Sequence, residues 1–248
     1  MANFSRNASF YKPKKATSLN QKHLVVRVEA LDNLGAGIAY SDLEYVHQTK
    51  KTPIFIDGAL PDETVRIQLT EQKAKYARAK LIAVDKPSEI RIKPNCPHFA
   101  ECGGCQLQHM PHQAQVAYKS ETLLNLFKKI SPQAQASSEL AAPVISPEFG
   151  YRRRARISLM YDQKKQALAF GFRQSGSHQI TQVKQCPVLV PQLDALLPEL
   201  RILLENFDKP RTLGHLELVY DGEQVAVLLR HTQALTESAK ESLMSFAN

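Results

Sequence analysis

The chain has 248 residues, of which 43% are hydrophobic and 23% are charged, so it can bury the core of one large domain or two modest ones. No apolar run approaches the roughly 18 residues that a transmembrane helix needs. The N-terminus also lacks the apolar segment of a secretory signal, and we therefore expect a cytoplasmic protein with no membrane partner. The net charge of +8 favours a polyanionic partner.

The N-terminal third of the sequence predicts a small β-barrel. Residues 1–15 are basic and aperiodic, and we expect a flexible arm there. Short strand patterns follow at 24–30, 37–40, 53–56, 64–69 and 76–84. In the fourth of these, Val65, Ile67 and Leu69 share one face. Five strands in so short a segment predict a five-stranded barrel of the oligonucleotide-binding (OB) type over residues 16–84.

The rest of the sequence, residues 85–248, predicts an α+β domain with antiparallel strands. The expected fold class is therefore mainly β with α+β. Apolar spacing predicts a helix over 112–129 and more helical structure over 193–207, with a kink or break at Pro198. Thr236 is a candidate N-cap of a last helix. Strands are predicted at 154–161, 168–172 and 179–183, and Asp221-Gly222 predicts a hairpin between 216–220 and 224–229.

The four cysteines of the chain, Cys96, Cys102, Cys105 and Cys186, can be placed in one metal site. The spacing is C-x5-C-x2-C followed by one remote cysteine. Zinc sites usually pair C-x2-C with a second close pair, whereas an iron–sulfur cluster accepts three close thiolates and one remote one. The spacing thus favours an iron–sulfur cluster and leaves zinc, or four unrelated buried thiols, as alternatives.

Two basic groups are candidate RNA contacts. Arg152, Arg154 and Arg156 alternate to one face on or just before a strand, with no acid between residues 151 and 161. The second group combines positive charge with an aromatic ring that can stack on a base: Lys73, Lys75, Tyr76, Arg78 and Lys80. The alternatives are a solvated strand face whose charges are paired with acids, and a Tyr76 that belongs to the barrel core.

Three segments resemble the RNA uracil-C5 methyltransferases that depend on S-adenosylmethionine (SAM): CPHFAECGGCQLQH at 96–109, YRRRAR at 151–156 and KQCP at 184–187. The barrel, which ends in KYARAK at 75–80, resembles a TRAM domain. Of the family's branches, the chain most resembles the TRAM-bearing one that makes 5-methyluridine in 23S ribosomal RNA. This resemblance implies that the four cysteines bind a [4Fe–4S] cluster. It also implies 23S ribosomal RNA as the partner, and we expect a monomer.

The sequence departs from that family in one respect. The family's catalytic domain is a C-terminal Rossmann-like unit, and no strand followed by a G-x-G-x-x-G-like loop is found here. Methylation of uracil at C5 calls for a cysteine nucleophile at C6, and four ligands use all four cysteines. We therefore expect the RNA-recognition and cluster portion of such an enzyme, without catalytic residues or a SAM site and inactive alone.

Two other interpretations apply to the same features. The alternative to an enzyme portion is a stand-alone RNA-binding module with a structural zinc or iron–sulfur site. A radical-SAM methylthiotransferase also carries a TRAM domain, but its C-x3-C-x2-C motif is absent here.

Overall fold

The computed structural model describes residues 23–41, 51–131 and 140–247. The predicted arm at residues 1–15 lies outside these ranges. The described chain forms two compact units, which are treated separately below. The first contains the residues up to Asp32 together with Ala36–Ser88, and the second contains Asn33–Gly35 and the residues from Glu89 onward.

The first unit is a closed five-stranded barrel, as predicted. Around the barrel the strands follow the order β1-β2-β3-β5-β4, and β1 closes the ring by pairing with both β2 and β4. All pairs are antiparallel except β3 with β5, which run parallel. The strand bounds are β1 His23–Leu31, β2 Gly37–Ser41, β3 Thr52–Ile56, β4 Thr64–Gln72 and β5 Ala77–Lys86.

The barrel interior follows from the alternation of side chains along each strand. In β4, Val65, Ile67 and Leu69 point inward and are buried, which confirms the predicted face. Ile54 and Ile56 of β3 alternate in the same way and are completely buried. Because successive side chains point to opposite faces, the residues between these positions lie on the outer wall of the barrel.

Glu63 is a completely buried carboxylate in the barrel unit. Its Oε2 accepts a hydrogen bond from Leu60 N at 2.9 Å, and its Oε1 accepts one from Ser88 N at 3.2 Å. Both donors belong to loop backbone, and Ser88 is the last residue of the unit. The carboxylate thus fastens the turn before β4 to the segment after β5.

Replacing Glu63 with alanine should destabilise the barrel by about 2 kcal/mol or more, because both backbone donors would lose their buried acceptor. Chemical denaturation followed by circular dichroism measures this loss. Glu29→Ala is the matched control, since Glu29 is exposed on β1, and it should change stability by less than about 0.5 kcal/mol. Equal stabilities for the two variants would contradict the role given to Glu63.

The second unit contains a five-stranded antiparallel sheet in the order β10-β9-β6-β7-β8. The Asp221-Gly222 turn joins β9 and β10 as predicted, with Gly222 at a φ of +123°. Asp221 Oδ1 accepts hydrogen bonds from the backbone of Glu223 and Gln224, both at 2.8 Å. The strand bounds are β6 Arg154–Asp162, β7 Ala167–Arg173, β8 Ile180–Gln182, β9 Leu213–Tyr220 and β10 Val225–His231.

One face of this sheet packs against two consecutive helices, α2 Pro191–Asp194 and α3 Leu196–Glu205. Leu197, Leu200 and Leu204 are buried in a core shared with the sheet. The predicted break is found just before Pro198. The helices separate at Ala195, and Pro198 lies in the first turn of α3, where a helix does not need the missing N–H.

The second unit contains two further helices. Helix α1, His112–Ile130, matches its predicted bounds closely and has no fully buried residue. Helix α4, Glu237–Ala247, begins after Thr236, whose Oγ1 accepts a hydrogen bond from Ala239 N at 3.2 Å, so the predicted N-cap is confirmed. Among the described helices, none combines the length and apolar character required to cross a membrane.

Candidate metal centre and nucleic-acid interface

Backbone hydrogen bonds shape the loop that carries the first three cysteines and connect it to the end of β7. Cys102 N donates to His98 O at 2.8 Å, and Gly103 N donates to Arg173 O at 2.9 Å. A Cβ on Gly103 would lie 2.9 Å from that same Arg173 oxygen, so the close approach of the two backbones requires glycine there. The loop is thereby held at the carboxyl end of β7.

The fourth cysteine lies in a loop that is tied to the segment leading into β6. Gly150 N donates to Pro187 O at 2.9 Å, and Arg152 N donates to Val188 O at 2.8 Å. Val190 N returns a hydrogen bond to Arg152 O at 3.0 Å, and Cys186 N donates to Asp194 Oδ1. The backbone therefore fixes Cys186 beside the first arginines of the candidate RNA-binding run.

The fold brings the four cysteines to one open cavity of about 140 Å³. All four are free thiols and partly buried. Arg152 and Arg156 also line the cavity, together with apolar side chains that include Phe99 and Leu189. In the described ranges, no set of three His, Cys, Asp or Glu side chains is arranged to hold a metal ion. The thiols thus share a cavity without being gathered around a single-ion centre.

Burial dominates the acid–base behaviour of Cys96, Cys102 and Cys186. It raises the pKa of Cys186 to about 11, and it raises the pKa of Cys96 and Cys102 above their usual value. Neighbouring thiols add to the shift, whereas backbone N–H groups near the sulfurs oppose it, as Gly104 N does for Cys102 at 3.4 Å. Because metals bind thiolates, any metal taken up here must displace protons.

The two histidines nearest the cysteines have structural contacts. His98 Nε2 accepts a hydrogen bond from Lys184 N at 3.4 Å. His109 is completely buried, and its ring lies 5.4 Å from that of Phe99. Both histidines therefore have contacts within the fold, and Phe99 packs against the ring of His109.

The arginine run is divided by the structure. Arg154 and Arg156 lie on the outer face of β6, but Arg152 precedes the strand and donates from Nε to Arg154 O at 3.1 Å. Arg154 binds Glu217 at 2.9 Å, and its guanidinium holds the pKa of that carboxyl below its usual range. Arg156 lies 3.1 Å from His215 Nδ1. The sequence near the run shows no acid, yet the neighbouring strand β9 supplies one.

The basic group of the barrel lies beside the aromatic rings of Tyr76 and Phe55. Lys73 Nζ contacts Glu71 at 2.7 Å and the Tyr76 hydroxyl at 2.9 Å, and Arg78 lies 3.8 Å from Glu71. Tyr76 is half-buried and lies outside the barrel core, so the alternative that placed it in the core is wrong. Lys75 and Lys80 are exposed.

Sequence reasoning missed Phe55, whose ring centroid lies 6.2 Å from that of Tyr76. Its two neighbours in β3 are completely buried, so Phe55 points outward. The alternation of β3 would have found it, since a phenylalanine at an outward position is not needed by the barrel core.

A family model of the TRAM domain matches residues 19–82. The chain is 49% identical to the 23S rRNA (uracil(1939)-C(5))-methyltransferase RlmD of Vibrio campbellii over 240 residues, which cover 97% of the chain and 52% of that protein. It is 51% identical to the Vibrio vulnificus protein of the same name over 232 residues, or 93% of the chain and 50% of that protein. The chain therefore spans about half the length of these curated relatives.

A solved structure has a similar fold: the Pyrococcus abyssi tRNA (uracil-54, C5)-methyltransferase in complex with S-adenosyl-L-homocysteine. The TM-score is 0.60 with 19% sequence identity, over 88% of this chain and 48% of the other. At that identity the likeness concerns the fold alone. The TRAM match and the identity to the bacterial proteins lead to one conclusion: the chain carries a TRAM domain and is homologous to the 23S rRNA uracil-C5 methyltransferases along about half of their length.

Proposed function

We propose that these 248 residues are the RNA-recognition and cluster-bearing portion of a SAM-dependent enzyme that forms 5-methyluridine in 23S ribosomal RNA. The observation that carries this proposal is the identity of about one half to relatives named for that reaction, over nearly the whole chain. The TRAM match and the net charge of +8 support the RNA-binding part. The proposed organisation is an arm at 1–15, a TRAM domain at 16–84 and a cluster domain at 85–248.

Cys96, Cys102, Cys105 and Cys186 are the proposed ligands of a [4Fe–4S] cluster. The donor set fits, because such clusters take four cysteine thiolates and all four thiols line one cavity. Arg152 and Arg156 on the cavity wall would offset the negative charge of four thiolates. When bound, the cluster would cross-link the 96–105 loop to the loop that holds Cys186.

Zinc fits the site less well. A zinc ion needs its thiolates about 2.3 Å from a single point. Structural zinc sites usually have two close pairs of ligands, whereas this chain has one, Cys102 and Cys105. A cluster distributes its thiolates over several iron ions and suits a larger cavity.

Phosphate and base contacts are proposed for both basic groups. On the barrel these residues are Lys73, Lys75, Tyr76, Arg78 and Lys80. On and beside β6 they are Arg152, Arg154 and Arg156. Exposed guanidinium and ammonium groups neutralise phosphates, and Tyr76 offers a ring to a base. Arg152 and Arg156 both line the cavity, so each would interact with the bound cluster as well as with RNA.

Catalysis by these residues alone is not expected. All four cysteines of the chain line the cavity, so the cluster would leave no thiolate to add to C6 of uracil. We propose that SAM binding and methyl transfer belong to the remainder of the full-length relatives. A cytoplasmic, monomeric protein remains part of this proposal.

Two titrations of the anaerobically purified chain test the proposed function. Fluorescence anisotropy with a fragment of 23S ribosomal RNA should show binding that weakens steeply with salt, because phosphate contacts release counterions. Calorimetry with SAM should show no binding. Absence of RNA binding at low salt would contradict the RNA-recognition role, and saturable SAM binding would contradict the assignment of the cofactor site to another region.

A further inference from the structure

Two aromatic side chains lie on the outer wall of the barrel and do not contribute to its buried core. Tyr40 of β2 is 43% exposed, and Phe55 of β3 points outward between two buried neighbours. The strand register pairs Tyr40 with Pro53 and Ile38 with Phe55, so Tyr40 and Phe55 are diagonal neighbours on one face. At that spacing aromatic side chains on adjacent strands come within reach of each other.

Tyr76 continues this surface from the turn between β4 and β5. Its ring meets that of Phe55 edge to face, with centroids 6.2 Å apart and planes at 70°. We call Tyr40, Phe55 and Tyr76 the aromatic strip. None of the three belongs to the buried barrel cluster, so the strip presents aromatic surface to solvent rather than filling the interior.

Cations border the aromatic strip. Lys73 Nζ lies 5.3 Å from the centroid of Tyr76, and the Arg78 guanidinium lies 6.0 Å from that of Phe55. Lys75 and Lys80 are exposed nearby on the same turn and strand. Among the described residues of this surface, Glu71 is the carboxylate that contacts these cations, so positive charge is in excess. Rings bordered by cations suit a ligand with flat, uncharged bases and a phosphate backbone.

The barrel topology places the strip where such a ligand can reach it. The strand order, with β1 paired to β2 and β4 and with β3 parallel to β5, is that of the OB-type barrel. Barrels of this topology bind oligonucleotides on the face of strands 2 and 3 and at the loop between strands 4 and 5. Tyr40 and Phe55 occupy the first of these positions, and Tyr76 occupies the second.

We infer that the aromatic strip is a stacking platform for unpaired bases, so that the barrel takes a single-stranded segment of RNA. This inference rests on the proposed function and narrows it. A duplex keeps its bases stacked inside the helix, whereas a loop or end can lay a base on an exposed ring. Stacking is tolerant of sequence because every base has a π-face, so the platform selects strandedness rather than a particular nucleotide.

The test uses the full chain and a fluorescein-labelled single-stranded RNA of about twelve nucleotides, within the site size of such barrels. Phe55→Leu combined with Tyr76→Leu removes two rings and keeps apolar side chains and net charge. The double variant should bind the single strand about 5- to 150-fold more weakly, the range for one lost stack. The slope of log affinity against log salt should stay the same, because no phosphate contact is removed.

Two controls, Val25→Ala and a duplex of the same sequence, separate stacking from unfolding, and Tyr40→Leu is a further test of the strip. Val25→Ala alters an apolar side chain that is 63% exposed on β1, and it should leave RNA affinity unchanged. Tyr40→Leu tests the strip at a residue outside the β4–β5 turn and should also weaken single-strand binding. Binding of a duplex of the same sequence should change by less than about twofold in every variant, because its bases are not available to stack.

The outcomes distinguish this inference from the proposed function. If the wild-type chain binds RNA with a steep salt dependence but the double variant and Tyr40→Leu, both with native melting curves, stay within about twofold of it, the platform is wrong and the RNA-recognition role stands. If the wild-type chain binds no RNA at all, both are wrong.

Discussion

Replacing Cys186 with serine should release most of the iron from the anaerobically purified protein, from about four iron atoms per chain to fewer than about one. The physical reason is that a [4Fe–4S] cluster needs its fourth thiolate, and Cys186 is fixed at the cavity by the hydrogen bonds of the 187–190 loop. Iron analysis and the visible absorption of the cluster measure the loss. Full iron retention in this variant would remove Cys186 from the site.

His98→Gln is the matched control for the cysteine variant. His98 lies in the same loop and accepts a hydrogen bond from Lys184 N, a role that a glutamine oxygen can retain. We expect this variant to keep its iron, because the four proposed ligands are the cysteines and the contact with Lys184 N can be retained. Equal iron loss in both variants would show that iron depends on loop geometry and would withdraw the assignment of Cys186 as a ligand.

Replacing Arg154 and Arg156 together with glutamine should flatten the dependence of log RNA affinity on log salt by about two. Each guanidinium that neutralises a phosphate contributes close to one unit of that slope, because it releases one counterion. Arg154 is well placed for this role, with a side chain that is 72% exposed. Anisotropy titrations with the 23S ribosomal RNA fragment at several salt concentrations provide the slope. An unchanged slope would assign both arginines to a solvated strand face.

Glu217→Gln is the complementary test of the same surface and should act in the opposite direction. Glu217 binds Arg154 at 2.9 Å and therefore competes with any phosphate for that guanidinium. Removing its charge should strengthen RNA binding by up to about fivefold, the range expected for an exposed ion pair. Weaker RNA binding in this variant would show that Glu217 positions Arg154 for RNA rather than competing with it.

Much of the fold could be predicted because its signals are local. The alternation of Val65, Ile67 and Leu69 gives the inner face of β4 directly, and Asp221-Gly222 gives the hairpin. The break predicted at Pro198 falls at Ala195, because a proline in the first turn of α3 lacks the N–H that would continue the preceding helix. The parallel pairing of β3 with β5 has no local signal of its own, since it depends on how the whole barrel closes.

The candidate site depends on contacts between distant parts of the chain, and prediction was less complete there. The arginine run looked uncompensated because Glu217 reaches it only through the pairing of β6 with β9. Arg152 proved to line the cysteine cavity because the loop after Cys186 pairs with the residues before β6. The contact of Phe55 with Tyr76 has no local signal, because it joins β3 to the turn between β4 and β5.

Iron, acid-labile sulfide and zinc analysis of the anaerobically purified chain tests the assignment of the four cysteines most directly. All four thiols line one cavity, and their number matches the ligand set of a cluster. We expect about four iron and four sulfide per chain, with no stoichiometric zinc. One zinc ion per chain without sulfide would contradict the cluster and support a structural zinc site in its place.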